Sequence, residues 1–218
     1  MKILAQIISW VFLPLFMPLY ALLILMYIPS REDFLINDNS LYFMHPQSKL
    51  AILLIYFIFS IFAPGLTLLA LKNRGIVSTI DIDDRKERLI PLLITALYCL
   101  ILYLFFLFKA SNSYMPKYIF ALPLAGFITI GLFAWINMYT KISLHACGTG
   151  ILTGLIFAYC AESIYFNFSL LMIAIFVTGF VLSARMYLNK HTLHQVLYGF
   201  SGSALIVFFI NYFYPSGF

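Results

Sequence analysis

The run IPLLITALYCLILYLFFLF, residues 90–108, decides the fold of this chain. It contains no charged side chain and has the length of a membrane crossing, since a helix needs about 20 apolar residues to cover a hydrocarbon core of about 30 Å. A strand of a membrane barrel needs only about ten. Because every backbone polar group in a bilayer must be satisfied, a run of this length predicts a membrane-spanning helix.

The composition of the whole chain agrees with this interpretation. The chain is 63% hydrophobic and 10% charged, with a mean hydropathy of +0.99. Soluble domains average roughly 45–50% apolar and about 25% charged residues. The longest polar stretch, about residues 29–49, leaves no room for a soluble domain. We therefore predict a single integral-membrane domain over residues 1–218, folded as an all-α polytopic helix bundle.

Seven apolar runs are long enough to cross a membrane. We place the spans at about 4–28, 50–71, 90–108, 118–139, 147–163, 168–186 and 194–213. The fifth and sixth are short and are separated only by Glu162, Ser163 and Asn167. If they formed one kinked span, the bundle would have six spans.

Three polar clusters interrupt the apolar runs. We name them the first cluster (Asp84–Arg88), the second cluster (Lys141–His145) and the third cluster (Arg185–Gln195). Two spans separate each cluster from the next, so all three emerge on the same side of the bilayer. Together they bring cations, a serine and two histidines to one face. Such a set suits an anionic phosphate, with one imidazole to attack phosphorus and another to protonate the leaving group.

The third cluster is the most specific. His191 and Gln195 are separated as i and i+4, which predicts that they share one face of a helix. The Gln195 side-chain carbonyl would then accept from one ring nitrogen and leave the other unprotonated, as a nucleophilic imidazole requires. The planar fork of Arg185 suits bidentate contact with phosphate. The alternative is that these are interfacial charges at helix ends; His194 we interpret as such a neighbour.

The second cluster places Lys141, Ser143 and His145 at alternating positions before a helix. In an extended lead-in, alternation would point all three side chains the same way. The following helix N-terminus adds a positive dipole end that favours an anion. Gly148 and Gly150 leave room for a lipid chain or, equally, for close packing of a neighbouring helix. In isolation, the cluster could also be an ordinary juxtamembrane sequence.

The first cluster ends where Pro91 opens a helix. Arg85 and Arg88 lie three residues apart, which on a helical turn would set them side by side as a clamp for the non-bridging oxygens of a phosphoryl group. The alternative is a solvated, ion-paired loop.

These residues resemble the type-2 phosphatidic-acid phosphatase superfamily of membrane lipid phosphatases. That family carries Lys-x6-Arg-Pro, Pro-Ser-Gly-His and Ser-Arg-x5-His-x3-Asp in order. Here Arg185, His191 and Gln195 keep the third spacing, Ser143-Leu144-His145 keeps part of the second, and the first is matched loosely by Arg85 and Arg88 near Pro91. The resemblance covers a phosphatase-like core at about residues 81–202. It leaves two extra N-terminal helices, within residues 1–75, outside.

The resemblance implies a role for each matched residue. His191 would be the nucleophile that forms a phosphohistidine, oriented by Gln195, and His145 the acid that protonates the leaving alkoxide. Phosphate would be held by Arg85, Arg88, Lys141, Ser143 and Arg185, with Lys141 replacing the missing first-motif lysine. Glutamine in place of aspartate at 195 cannot supply a full negative charge to an imidazolium, so turnover is expected to be slower.

We therefore expect a phosphoric-ester or diphosphate hydrolase: a membrane lipid phosphatase acting on a lipid phosphomonoester or a prenyl pyrophosphate. We expect no metal and no other cofactor, because the cations stabilise the charge. Two alternatives stay open. One is a lipid phosphotransferase that uses the same intermediate, and the other is a non-catalytic protein that binds phospholipid headgroups.

The charge distribution bears on partners and location. A net charge of +5 suits anionic lipid and a lipid phosphate substrate, and without an exposed aromatic platform it does not indicate nucleic acid. Of the thirteen Lys and Arg, nine lie on the cluster side and four on the other, which favours the cluster side as cytoplasmic; without the four phosphate candidates the count is five against four. The resemblance implies a site facing away from the cytoplasm, in a bacterial plasma membrane. The orientation and the oligomeric state stay open.

Overall fold

The computed structural model describes residues 1–29, 40–79, 82, 84–110, 115–163 and 166–215. Over these residues the protein is helical and contains no β-strand. The helices are α1 (Lys2–Val11), α2 (Met17–Tyr27), α3 (Pro46–Phe57), α4 (Ala63–Asn73), α5 (Leu89–Ala110), α6 (Tyr118–Asn137), α7 (Leu144–Glu162), α8 (Phe168–Tyr187) and α9 (Leu193–Phe213).

These helices form seven segments that are long and apolar enough to cross a membrane: Lys2–Tyr27, Pro46–Asn73, Lys86–Lys109, Tyr118–Asn137, Leu144–Glu162, Phe168–Tyr187 and Leu193–Phe213. The prediction of an all-α integral membrane bundle with seven spans is confirmed. The fifth and sixth spans are separate helices, because α7 ends at Glu162 and Asn167 caps α8 by accepting from Leu170 N.

Each of the first two spans is interrupted. In the first span Leu13 is extended (φ −61°, ψ 142°), as expected of a residue before proline, and a short 3₁₀ turn at Pro14–Phe16 leads into α2. In the second span a π-helical turn, Ile58–Phe62, precedes Pro64. Pro64 lacks the N–H that would bond to Ser60, and the ladder shifts so that Ala63 N bonds to Ile58 O instead.

Helix α7 lies at the centre of the bundle. It is buried on nearly every side from Ala146 to Ile156 and packs against α9, α8 and α2. A helix surrounded on all faces needs small residues where its neighbours come close. A Cβ at Gly150 would collide with Ser203 Oγ and lie 2.5 Å from Phe200 O on α9, and one at Gly154 would lie 2.5 Å from Ala204 O. Close helix packing is thus the role of Gly150.

The end of the bundle away from the polar clusters is held by a buried ionic network. Lys117, just before α6, pairs with Glu162 at the end of α7. Its ammonium also donates to Tyr212 O on α9 at 2.9 Å, and the Tyr118 hydroxyl donates to the same Glu162 carboxylate. One carboxylate and one ammonium therefore join the ends of three spans.

We predict that Gly150→Ala destabilises the bundle, since the added methyl meets α9 backbone that cannot move aside. Overpacking of this kind costs about 1–3 kcal/mol. Gly179→Ala is the matched control, because nothing lies within 4 Å of its Cβ position on the exposed face of α8. Thermal unfolding in detergent should show a lower Tm for Gly150→Ala only. Equal Tm values for the two variants would contradict this role of Gly150.

Candidate active site

A cavity of about 380 Å³ opens where the three polar clusters meet the membrane-spanning helices. Its walls are apolar over most of their area. Polar side chains lie at one end, where Arg88, His145, Arg185 and His191 all border the same space. Arg88, Arg185 and His191 are buried. The structure therefore brings one polar residue from the first cluster, one from the second and two from the third to a single place.

Hydrogen bonds join the three clusters. Arg88 Nη1 donates to Ile142 O at 2.9 Å, which links the first cluster to the second. Arg88 Nε donates to Ile82 O at 2.7 Å, so the guanidinium is fixed while it borders the cavity. Ser143 N donates to Gln195 O at 3.4 Å, which links the second cluster to the third. The relative positions of the polar side chains are thus set by backbone contacts.

The predicted contact between His191 and Gln195 is present, at 3.1 Å from Nδ1 to Oε1. The expectation that both residues share one face of a helix is wrong, because α9 begins only at Leu193, with Thr192 as its N-cap. Gln195 completes a capping box, in which its Oε1 accepts from Thr192 N at 3.3 Å. Since Oε1 is an acceptor there, His191 Nδ1 carries the proton and Nε2 presents a lone pair.

The turn between Arg185 and His191 is also fixed. Asn189 adopts a left-handed conformation (φ 54°), and its N–H bonds to Met186 O, while Lys190 N bonds to Arg185 O at 3.2 Å. These two bonds form a Schellman motif that ends α8. The capping box of α9 then begins two residues later. The five residues between Arg185 and His191 are thus the number that the Schellman motif and the start of the capping box require for both side chains to border the cavity.

The electrostatics of this end keep His191 neutral. Burial lowers the pKa of the His191 imidazole, and the hydrogen bond to Gln195 only partly opposes this effect. The positive charges of Arg88, Arg185 and Lys141 lower the pKa further. At neutral pH the ring is therefore uncharged and has a free nitrogen, as a nucleophile needs.

The arginine pair predicted in the first cluster does not form. Arg88 borders the cavity, but Arg85 does not, since its guanidinium donates to Tyr139 O and its own carbonyl accepts from Asn137 Nδ2 at 2.9 Å. The two side chains separate because the Arg88 guanidinium donates instead to Ile82 O and Ile142 O. Arg85 instead ties the first cluster to the loop after α6.

The second cluster also departs from the alternating arrangement. Helix α7 begins at Leu144, so Ser143 is its N-cap and its hydroxyl accepts from Ala146 N at 3.4 Å. Ser143 is fully buried, and neither it nor Lys141 borders the cavity. Of the three polar side chains, His145 borders the cavity, and the charge of Lys141 lowers the pKa of His191. The prediction that all three side chains point one way is therefore wrong.

Contacts with neighbouring residues explain the positions of His194 and Gly148. His194 is exposed and stacks on Tyr198 at 6.3 Å between ring centroids, in agreement with an interfacial role. Gly148 faces Pro14 in the first span, which shows that it serves close packing.

The first two spans lie outside the phosphatase-like core that the resemblance covers, but both border the cavity. The first span contributes Trp10 and the interrupted stretch from Leu13 to Phe16, and the second contributes side chains around Pro64. The signal was in the sequence: prolines interrupt both runs, and an interrupted membrane helix is tolerated where it is buried or lines a cavity.

Comparisons with protein families, with curated proteins and with solved structures found no match to this chain.

We predict that His191 titrates with a pKa of about 4 in the folded protein. Lys141→Gln should raise this pKa, because it removes one of the charges that lower it. Lys86→Gln, an exposed charge of the first cluster that does not contribute, should leave it unchanged. Imidazole NMR signals followed against pH in detergent micelles measure all three values. A His191 pKa near 6.5 would contradict the buried, cationic surroundings described here.

Proposed function

We propose that this protein is a membrane lipid phosphatase that hydrolyses a lipid phosphomonoester or a prenyl pyrophosphate through a phosphohistidine intermediate. One observation supports the proposal above the others. Two imidazoles and two guanidiniums border one end of an otherwise apolar cavity. A single space therefore offers polar groups for an anionic headgroup and apolar walls for a lipid chain.

In this proposal the headgroup binds between Arg88 and Arg185. Guanidinium groups donate bidentate hydrogen bonds to phosphate oxygens, and in a dry site such bonds strengthen as charge develops in the transition state. The lipid chain lies along the apolar wall formed by the second and third spans, which include Leu68 and Leu92. The proposal needs no metal ion, because the arginines offset the phosphate charge.

The first chemical step is attack by His191. The Nε2 lone pair forms a bond to phosphorus while the bond from phosphorus to the lipid oxygen breaks. Protonated His145 gives its proton to the departing oxygen, and the lipid leaves as an alcohol or, from a pyrophosphate, as a monophosphate. The hydrogen bond from Nδ1 to Gln195 holds the ring in position for attack.

The second step regenerates the enzyme. Neutral His145 takes a proton from water, whose oxygen attacks the phosphohistidine, and the bond between phosphorus and Nε2 breaks. Inorganic phosphate leaves, and His191 is again neutral with Nε2 unprotonated.

If an alcohol took the place of water, the same intermediate would give phosphotransfer. The glutamine at position 195 favours a third possibility, binding of headgroups without chemistry.

We predict that the purified protein releases inorganic phosphate from lipid phosphates and that His191→Ala abolishes the release. The assay compares phosphatidate, phosphatidylglycerophosphate and a prenyl pyrophosphate in detergent, in the presence of a chelator. His194→Ala is the matched control, because His194 is an exposed neighbouring histidine outside the cavity. Equal activity of His191→Ala and the unaltered protein, or no release from any substrate, would end the proposal. Transfer of labelled phosphate to an added alcohol would indicate phosphotransfer.

We also predict opposite effects of two changes at Gln195. Gln195→Asp should raise kcat, since a carboxylate stabilises the cationic ring of the intermediate better than an amide does. Gln195→Leu should lower kcat by about 10²-fold, because the tautomer of His191 is no longer fixed. The two variants are compared by steady-state kinetics at fixed pH. A Gln195→Leu variant with unchanged kcat would show that the contact does not support catalysis.

A further inference from the structure

The break in the first span frees a backbone carbonyl next to the cavity. In an unbroken helix, Ser9 O would accept from Leu13 N, four residues on. Leu13 is extended because Pro14 follows it, and α1 ends at Val11. Ser9 O instead lies 3.1 Å from His145 Nε2. A carbonyl oxygen can only accept, so His145 Nε2 carries the proton in this contact.

The break is docked firmly on the same turn of α7 that carries His145. Gly148 lies three residues after His145, and a Cβ there would be 2.8 Å from Pro14 Cα and 2.9 Å from Met17 Cγ. Only glycine lets the first span come this close. The 3₁₀ turn after Leu13 also packs against α7. The distance between Ser9 O and His145 is therefore set by backbone packing.

From these contacts we infer that the first span is a positioning element of the active site, with the Ser9 carbonyl holding His145 in the Nε2–H tautomer. This inference rests on the proposed function for what His145 does. With Nε2–H bound to Ser9 O, Nδ1 is the nitrogen that gains and loses the proton. In the first step Nδ1–H protonates the departing oxygen, and in the second Nδ1 accepts a proton from water. Ser9 O takes part in neither transfer and keeps the ring oriented throughout.

Pro14→Ala tests the positioning role, because alanine lets Leu13 return to the helix and lets its N–H compete for Ser9 O. Pro18→Ala is the matched control, since Pro18 occupies the first turn of α2, where proline is tolerated. For an alkyl lipid phosphate, Pro14→Ala should lower kcat by about 10-fold or more with little change in KM.

The leaving group separates positioning from general damage. The p-nitrophenolate released from p-nitrophenyl phosphate leaves without needing a proton, so Pro14→Ala should have little effect on kcat/KM for this aryl substrate, because kcat/KM covers only the steps up to departure of the leaving group. Pro18→Ala should leave the hydrolysis of both substrates unchanged. Equal loss of kcat/KM on the alkyl and aryl substrates would overturn the inference, because it would mean that Pro14 only maintains the fold.

A spectroscopic measurement tests the contact without any reaction. In protein labelled with ¹⁵N-histidine, His145 of the unaltered chain should show a protonated Nε2 and a bare Nδ1 at pH 8, with its signals assigned by their loss in His145→Gln. A bare Nε2 would overturn the inference, even if Pro14→Ala does not fold. If His145 shows a protonated Nε2 but the protein releases no phosphate, the proposed function is overturned. The contact between Ser9 O and His145 would then stand without it.

Discussion

Close approach to the first half of α7 is the constraint on which the site depends. Gly148 admits the broken stretch of the first span, and Gly150 admits α9. The loop that carries His191 precedes α9, and the carbonyl that meets His145 belongs to the first span. Two glycines two residues apart therefore let the first span and α9 approach the helix that carries His145, which brings the Ser9 carbonyl and His191 close to it.

Charge is the second organising factor. Arg88 and Arg185 are buried at the end of an apolar cavity, beside His191, whose pKa is lowered by burial and then by their charge. Burying positive charge is costly unless an anion or hydrogen-bond acceptors compensate for it. Arg88 meets part of this need with backbone carbonyls, which also connect two clusters that are distant in sequence. The same bonds that hold the arginine thus assemble the pocket, and a bound anion would stabilise the folded bundle further.

The amino-acid pattern predicts the spans well, because the length of an apolar run and the gaps between charges depend on the bilayer alone. It also predicts that the three clusters emerge on one common side, and it predicts the pairing of His191 with Gln195. Side-chain directions are harder to predict from the pattern. Arg85 and Ser143 do not border the cavity because each side chain binds backbone elsewhere: the Arg85 guanidinium donates to Tyr139 O, and the Ser143 hydroxyl accepts from Ala146 N as the cap of α7. The contact of the His145 ring with the Ser9 carbonyl joins residues 136 positions apart, and local sequence carries no signal for it.

The Schellman turn and capping box between α8 and α9 have a consequence for recognising distant homologues. The geometry fixes a count and a few residue classes: arginine, then asparagine or glycine four positions later, histidine two positions after that, and a small hydroxyl or acidic cap next to it. Glutamine, glutamate or aspartate follows three positions after the cap. A search profile that keeps these intervals rigid and lets the other letters vary would find homologues that identity scores overlook, and insertions between the two helices would mark chains in which the arrangement has been lost.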